Sequence, residues 1–380
     1  MPAVVFFPVG KGDMTLLELE SGRKILVDIN IRSAADHPDE DVPDVAEKLR
    51  ARLIRDPEGR LYVDAFLLTH PDQDHCRGLT EHFHLGPPND WSKTDDKILI
   101  REIWSSPIVF RRAPSLCDDA KAFTTEARRR VKAFRQDPLL SVAGDRILIL
   151  GEDEDGKTDD LSDILVKVDR TFSKVDGHED QTFEAVLLGP LQKTQNQDEE
   201  RTLAKNHSST ILRWSIAAQG KRDACLFLSG GDAAVAIWER LWSRHQEQPD
   251  QLQYDLLLEP HHCSWHSLSY DSWSDKREDA EVCQAARAAL SHGRPGANLV
   301  ASSVPIKDEQ PDPPCIRAKR EYESIAKEFR GKHRCVGEEG PDDGIEFNIG
   351  RNGPRLNSSL PGPAFVVGSG AIGRVPLHHG

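Results

Sequence analysis

Short apolar runs broken by turn residues dominate the start of the chain: residues 4–7, 14–19 and 25–28 alternate with turns at Gly10, Gly12, Ser21 and Gly22. That rhythm predicts a β-meander ending on Asp28. Residues 45–54 repeat apolar positions at helical spacing, and 64–69 form an apolar strand that runs straight into a turn crowded with histidine and aspartate. Comparable order returns after residue 180. Strands are predicted at 183–188, 209–214, 224–228 and 254–258, and a helix at 233–242. Helix and strand then alternate at 280–290, 298–302, 316–329 and 345–349. The alternation is that of an α/β fold.

Between about 85 and 180 the pattern dissolves into polar, charged sequence such as PPNDWSKTDDK and GEDEDGKTDDLSD, which reads as an elaborated insertion. Within it, 120–134 has helical character and many Arg and Lys residues. A solvated helix face is the plain reading, and a basic face turned to substrate the alternative. Residues 354–380, rich in Gly and Pro, read as a flexible C-terminal tail. No internal repeat of fixed period is visible.

Composition narrows the function classes. The chain of 380 residues is long enough for one large domain or two ordinary ones. A formal net charge of -14 argues against a surface coated in Lys and Arg for sequence-independent nucleic-acid binding, though a local basic groove remains compatible with it. The seven cysteines are scattered, without a CxxC pair, as expected of reduced thiols rather than a disulfide framework. The N-terminus lacks the pattern of a signal peptide, and no apolar run approaches the length that spans a bilayer. A soluble cytoplasmic protein without a membrane partner is the expectation.

Acidic and histidine residues gather in four turns, each just after a predicted strand, where α/β folds place their sites. These are Asp28; Thr69-His70-Pro71-Asp72-Gln73-Asp74-His75; Ser229-Gly230-Gly231-Asp232; and Glu259-Pro260-His261-His262-Cys263-Ser264. Two imidazoles and two carboxylates within six residues repel and desolvate one another unless a cation organises them. Imidazole nitrogen and carboxylate oxygen suit Zn²⁺, and the share of oxygen leaves Mn²⁺ open. The bland alternative is a helix-capping turn in which Asp72 and Asp74 satisfy backbone N–H groups.

The run His70-Pro71-Asp72-Gln73-Asp74-His75 resembles the HxHxDH signature of the metallo-β-lactamase superfamily. Its HxDxDH form is typical of the hydrolase domain at the end of bacterial competence (DNA-uptake) channel proteins. Other segments resemble that domain in the same order: Val9-Gly10-Lys11-Gly12-Asp13, Leu26-Val27-Asp28, Asn206-His207-Ser208-Ser209, Ser229-Gly230-Gly231-Asp232, and Pro260-His261-His262-Cys263-Ser264. The resemblance covers roughly 1–85 and 180–355. It implies an α/β, metallo-β-lactamase αββα sandwich over 1–353 with the polar insertion at about 85–180. It also implies two divalent metal ions, Zn²⁺ or Mn²⁺. His70 and Asp72 would hold the first, Asp74 and His75 the second, and Asp232 would bridge. The PHH turn would add one histidine, His262 in preference to His261. Asp28 would orient a ligand imidazole, and Asp13 is either a site residue or the cap of its own turn.

The sequence departs from the family pattern in two places. Cys263 stands where the family has glycine, and the superfamily's third-motif histidine is replaced by Asn206-His207-Ser208, leaving His207 as the candidate substitute. Asp74, His261 and His266 are the candidate catalytic residues; either histidine, when not a ligand, is placed to protonate a leaving group. Ser264 and Ser267 read as turn and supporting residues. His82, His84 and, in its plainer reading, His266 count as ordinary surface or supporting histidines, and His378 and His379 have no identifiable partner. The expected reaction is hydrolysis with a metal-activated water, first of a phosphodiester or nucleic acid, where Lys11, Lys307 and arginines of the insertion would add phosphate contacts. Hydrolysis of a small ester, thioester or amide is the second expectation. A role as partner protein in a bacterial defence-type multi-gene system is the third.

Overall fold

The computed structural model describes residues 1–32, 42–110, 116–138, 142–153, 156–191, 209–308 and 310–357. Two large sheets face one another. The first runs in the order Leu165–Val166, Arg146–Leu150, Ile98–Ser105, Leu61–Leu68, Lys24–Val27, Thr15–Glu18, Ala3–Phe6, Ile345–Gly350 and Gly353–Leu356. The second runs Thr171–Phe172, Phe183–Gly189, Ile211–Ala218, Lys221–Ser229, Tyr254–Leu258, Gly293–Ala301 and Lys332–Cys335. Each sheet joins an antiparallel meander to a parallel set of strands, as short turns and longer crossovers respectively allow.

Alternation along the strands explains the layering. Val4 and Phe6 point into the space between the sheets, where they meet Leu212, Trp214 and Phe227, while Ala3, Val5 and Phe7 point the other way toward helices. Leu61–Leu68 does the same, sending Ala65 and Leu67 inward and Phe66 and Leu68 outward. Outside the first sheet lies Asp118–Gln136, which buries Ala120, Phe123, Ala127 and Val131 at helical spacing. Outside the second lie Val235–His245, Gln284–Leu290 and Ile316–Glu328. The result is the four-layer αββα sandwich that the resemblance implies. Among the described residues no helix is long and apolar enough to cross a membrane.

Three details differ from the sequence expectation. Much of the polar stretch from 85 to 180 belongs to the sandwich: Ile98–Ser105 and Arg146–Leu150 extend the first sheet, and Asp118–Gln136 covers it. Eight apolar-rich residues were masked there by charged neighbours on both sides. Three described arginines of this stretch, expected as phosphate contacts, are engaged in holding it together, and Arg111 and Arg112 lie outside the described residues. Arg130 is wholly buried and donates to the carbonyls of Ile100 and Arg146, Arg129 pairs with Glu126 and Asp145, and Arg135 pairs with Asp160. Finally, the expected tail begins as a strand, Gly353–Leu356, paired with Ile345–Gly350; residues 358–380 lie outside the described part.

Trp104 and Trp214 stack across the inter-sheet core with centroids 6.1 Å apart, and neither is exposed. Replacing Trp214 by alanine is expected to lower unfolding free energy by about 3–5 kcal/mol, through lost transfer energy and the cavity left behind. Urea titration measures this, and a change below about 1 kcal/mol would contradict the assigned core.

Candidate metal centre

Strand ends from both sheets open at one edge of the sandwich. Lys24–Val27 delivers Asp28, and Leu61–Leu68 delivers Thr69 to His75. From the other sheet, Lys221–Ser229 delivers Asp232 and Tyr254–Leu258 delivers the two histidines of the PHH turn. The turn after Ala3–Phe6 closes over them: the Asp13 N–H donates to the Asp74 carbonyl at 3.3 Å, and Asn30 Nδ2 donates to the Lys11 carbonyl at 2.6 Å. Gly12 is required there, because at φ +136° a Cβ would lie 2.6 Å from the Asp74 carbonyl oxygen. Gly231 is held as closely, its Cβ position 2.8 Å from Thr69 Oγ1.

Asp232 is buried at the centre, and its two oxygens face different groups. Oδ2 lies 3.4 Å from His70 Nε2 and 3.5 Å from His261 Nε2, with Asp72 Oδ2 a further 3.6 Å from His70 Nε2. Oδ1 lies 3.1 Å from His75 Nε2 and 3.6 Å from His262 Nε2, with Asp74 Oδ2 3.4 Å from the latter. Each oxygen therefore anchors its own set of nitrogen and oxygen donors. Asp72 and Asp74 form the open side, their side chains 60% and 38% exposed.

The imidazoles are aimed from behind. His75 Nδ1 lies 2.9 Å from Asp28 Oδ2, and His262 Nδ1 3.2 Å from Asp13 Oδ1. Thr69 donates its hydroxyl to Asp28 Oδ2 at 2.6 Å, so the oxygen it shares with His70 Nδ1, 3.1 Å away, is left to accept. Protons on all three Nδ1 atoms leave the Nε2 lone pairs pointing inward. There, Nε2 of His70, His75 and His262 and Asp232 Oδ1 have no hydrogen-bond partner among the described residues. Buried polar atoms without partners are costly, and several converging on one point describe a cation cradle.

Backbone and charge agree with this. Asp28, His261, His262 and Cys263 all have left-handed φ, between 53° and 68°, a conformation that costs non-glycine residues about 1–3 kcal/mol each and gathers at functional sites. Burial alone would raise the Asp232 carboxyl, yet the charges of His75, His70 and His262 hold it well below the usual carboxylate range. Burial would lower His75 and His262, yet Asp232 and Asp28 lift the first well up, and Asp13 and Asp232 push the second up to about 10. The carboxylates demand positive charge, and protons supply it where metal does not.

The residues that resemble the family's ligands come together here: His70, Asp72, Asp74, His75, Asp232 and His262, with Asp13 and Asp28 behind them. Two placements revise the expectation and a third, the turn role of Ser264, agrees with it. His261 lies on Asp232 beside His70, so both histidines of the PHH turn face the cradle. His266 is 52% exposed and faces Asp312 rather than the cluster, because the 3₁₀ turn Trp265–Ser267 rotates it outward. Ser264 is spent capping that turn, accepting from the His266 N–H at 3.1 Å. Asn206 and His207 lie outside the described residues. Thr69 and Asn30 went unread in the sequence, since their roles arise from contacts across the fold. Thr69's place between an apolar strand and His70 was the available signal.

No protein-family model matches the chain, and no curated protein matches its sequence. Among solved structures, unliganded yeast PDE1 is similar at 12% identity and a TM-score of 0.37, over 88% of this chain and 97% of that one. A likeness that loose carries no argument about chemistry.

Two outcomes follow from the cradle. His262 ordinarily titrates near 6.5 and is raised here to about 10, so its charged form stabilises the metal-free fold fully below the first value and ceases to as pH rises through the second. Chelated protein should therefore lose thermal stability across that window, while metal-loaded protein, whose ligand imidazoles are already neutral, should not. Parallel melting profiles with and without chelator would contradict this. Asp28→Asn, which removes the charge fixing His75, is expected to weaken metal binding about 10–100-fold by calorimetry.

Proposed function

We propose that the protein is a metal-dependent hydrolase acting on phosphodiesters, with nucleic acid the foremost substrate class. The observation that carries the reading is the pair of donor sets on the two oxygens of Asp232. His70, Asp72 and His261 would hold one divalent ion, and Asp74, His75 and His262 the other. Such ions, when bound, supply Lewis acidity and lower the pKa of water toward neutrality. The chain's own residues do the rest: Asp28, Thr69 and Asp13 fix imidazole direction, and the exposed Asp72 and Asp74 edge admits substrate.

The donors include three carboxylates among seven residues, a share of oxygen that accommodates hard ions such as Mn²⁺ as well as Zn²⁺. Hard ions pair well with phosphoryl oxygen. The order of motifs, similar to that of the hydrolase domain of DNA-uptake channel proteins, supports the same substrate class. Lys11 and Lys307 are exposed, available to meet phosphate, and the net charge of -14 leaves the ions to do most of the neutralising.

Purified protein supplemented with Mn²⁺ or Zn²⁺, offered single-stranded DNA, RNA and small phosphodiesters beside thioester, ester and lactam panels, tests this. Turnover of the phosphodiesters, falling at least about a hundredfold in Asp232→Ala, is the expected result. Turnover confined to the thioester or ester panel would move the assignment to small acyl substrates. Undiminished biological function in an Asp74→Ala, His75→Ala double variant would replace catalysis by a partner-protein role.

A further inference from the structure

A second group of donors lies on the far side of the PHH turn. Glu259, Cys263 and His333 each offer an atom within 4.8 Å of the others. Glu259 ends Tyr254–Leu258, Cys263 closes the turn, and His333 comes from the neighbouring strand Lys332–Cys335. The Glu259 side chain is 0% exposed and the His333 side chain 5%. Both Glu259 oxygens and His333 Nε2, 3.4 Å from Oε1, have no hydrogen-bond partner among the described residues. The Tyr322 hydroxyl is buried, without such a partner, and within electrostatic reach of both Glu259 and Cys263.

We propose that Glu259, Cys263 and His333 form a structural metal site, zinc by its chemistry, separate from the cluster around Asp232. A thiolate, an imidazole and a carboxylate make a mixed donor set that Zn²⁺ accepts at bond lengths of about 2.0–2.3 Å, and the fourth position of a tetrahedron is left to water. Charge balance favours it: the carboxylate and thiolate together neutralise a divalent cation, so no net charge is buried, and the Cys263 proton leaves to solvent on binding. The alternative, Glu259 paired with His333 and approached by the Cys263 thiol, leaves the buried phenol and part of the carboxylate's accepting capacity unused.

Position gives the site its role. Glu259 and Cys263 flank His261 and His262, and all of 261–263 is left-handed. An ion joining 259 to 263 ties the two ends of that turn together and holds both histidines facing Asp232. Cysteine at a left-handed position, where glycine is the unstrained choice, is then retained for its sulfur.

Cobalt distinguishes the two centres, because only a thiolate ligand gives an intense near-ultraviolet charge-transfer band. Full-length protein freed of metal with chelator and titrated with Co²⁺ is expected to show that band. Cys263→Gly, which suits the backbone there, should abolish it and bind one ion fewer per chain while keeping the wild-type circular dichroism. Asp232→Ala should keep the band while losing cobalt from the neighbouring cluster. A wild-type spectrum without the band, or a band that survives Cys263→Gly, overturns the inference. Neither result touches the hydrolase reading, whose own failure would show in the turnover assays.

Discussion

Buried carboxylate must be compensated, and this single requirement organises the molecule around its open edge. Asp13, Asp28 and Asp232 are almost fully withdrawn from water, within a few ångströms of three buried imidazoles. Hydrogen bonds to Asp28 from the Thr69 N–H and hydroxyl, and the imidazole contacts behind, satisfy the outer oxygens. They leave the inner atoms facing one another. Were the inner space filled only by protons, His75 and His262 would have to remain charged at neutral pH, as their raised pKa values indicate. A divalent cation meets the same demand with stronger bonds and releases the imidazoles to act as neutral ligands.

The scaffold serves that arrangement by geometry. Two sheets with parallel strands present their strand ends at a common edge, and residues far apart in the chain become neighbours there, as with Asp13 and His262. Strain is confined to the same place. Of the left-handed residues, Asp28, His262 and Cys263 are buried, and packing on all sides keeps an unfavourable backbone from relaxing.

Much of this was legible from residue pattern. The meander, the strand entering His70 and the helices covering the second sheet follow from simple apolar spacing. The cluster from His70 to His75 is local, so its chemistry can be read without a fold. What escaped is non-local. Ile98–Ser105 lies inside a highly charged stretch, and Lys332–Cys335 has the sequence KHRC, which becomes a strand only because Gly293–Ala301 pairs with it. Arg129, Arg130 and Arg135 in the middle region resemble phosphate contacts until their partners are seen. The resemblance ranks His262 above His261 in the PHH turn, yet a left-handed backbone aims both at Asp232, whereas His266, five residues beyond His261, is turned away.

The pairing of Ala3–Phe6 with Ile345–Gly350 has a consequence for folding. Two strands far apart in the sequence must meet before the outer edge of Ala3–Phe6 is covered, and until then an apolar β edge lies open to other chains. Pairing over so long a separation closes slowly, so this seam is where the sheet stays longest exposed to mispairing as it folds.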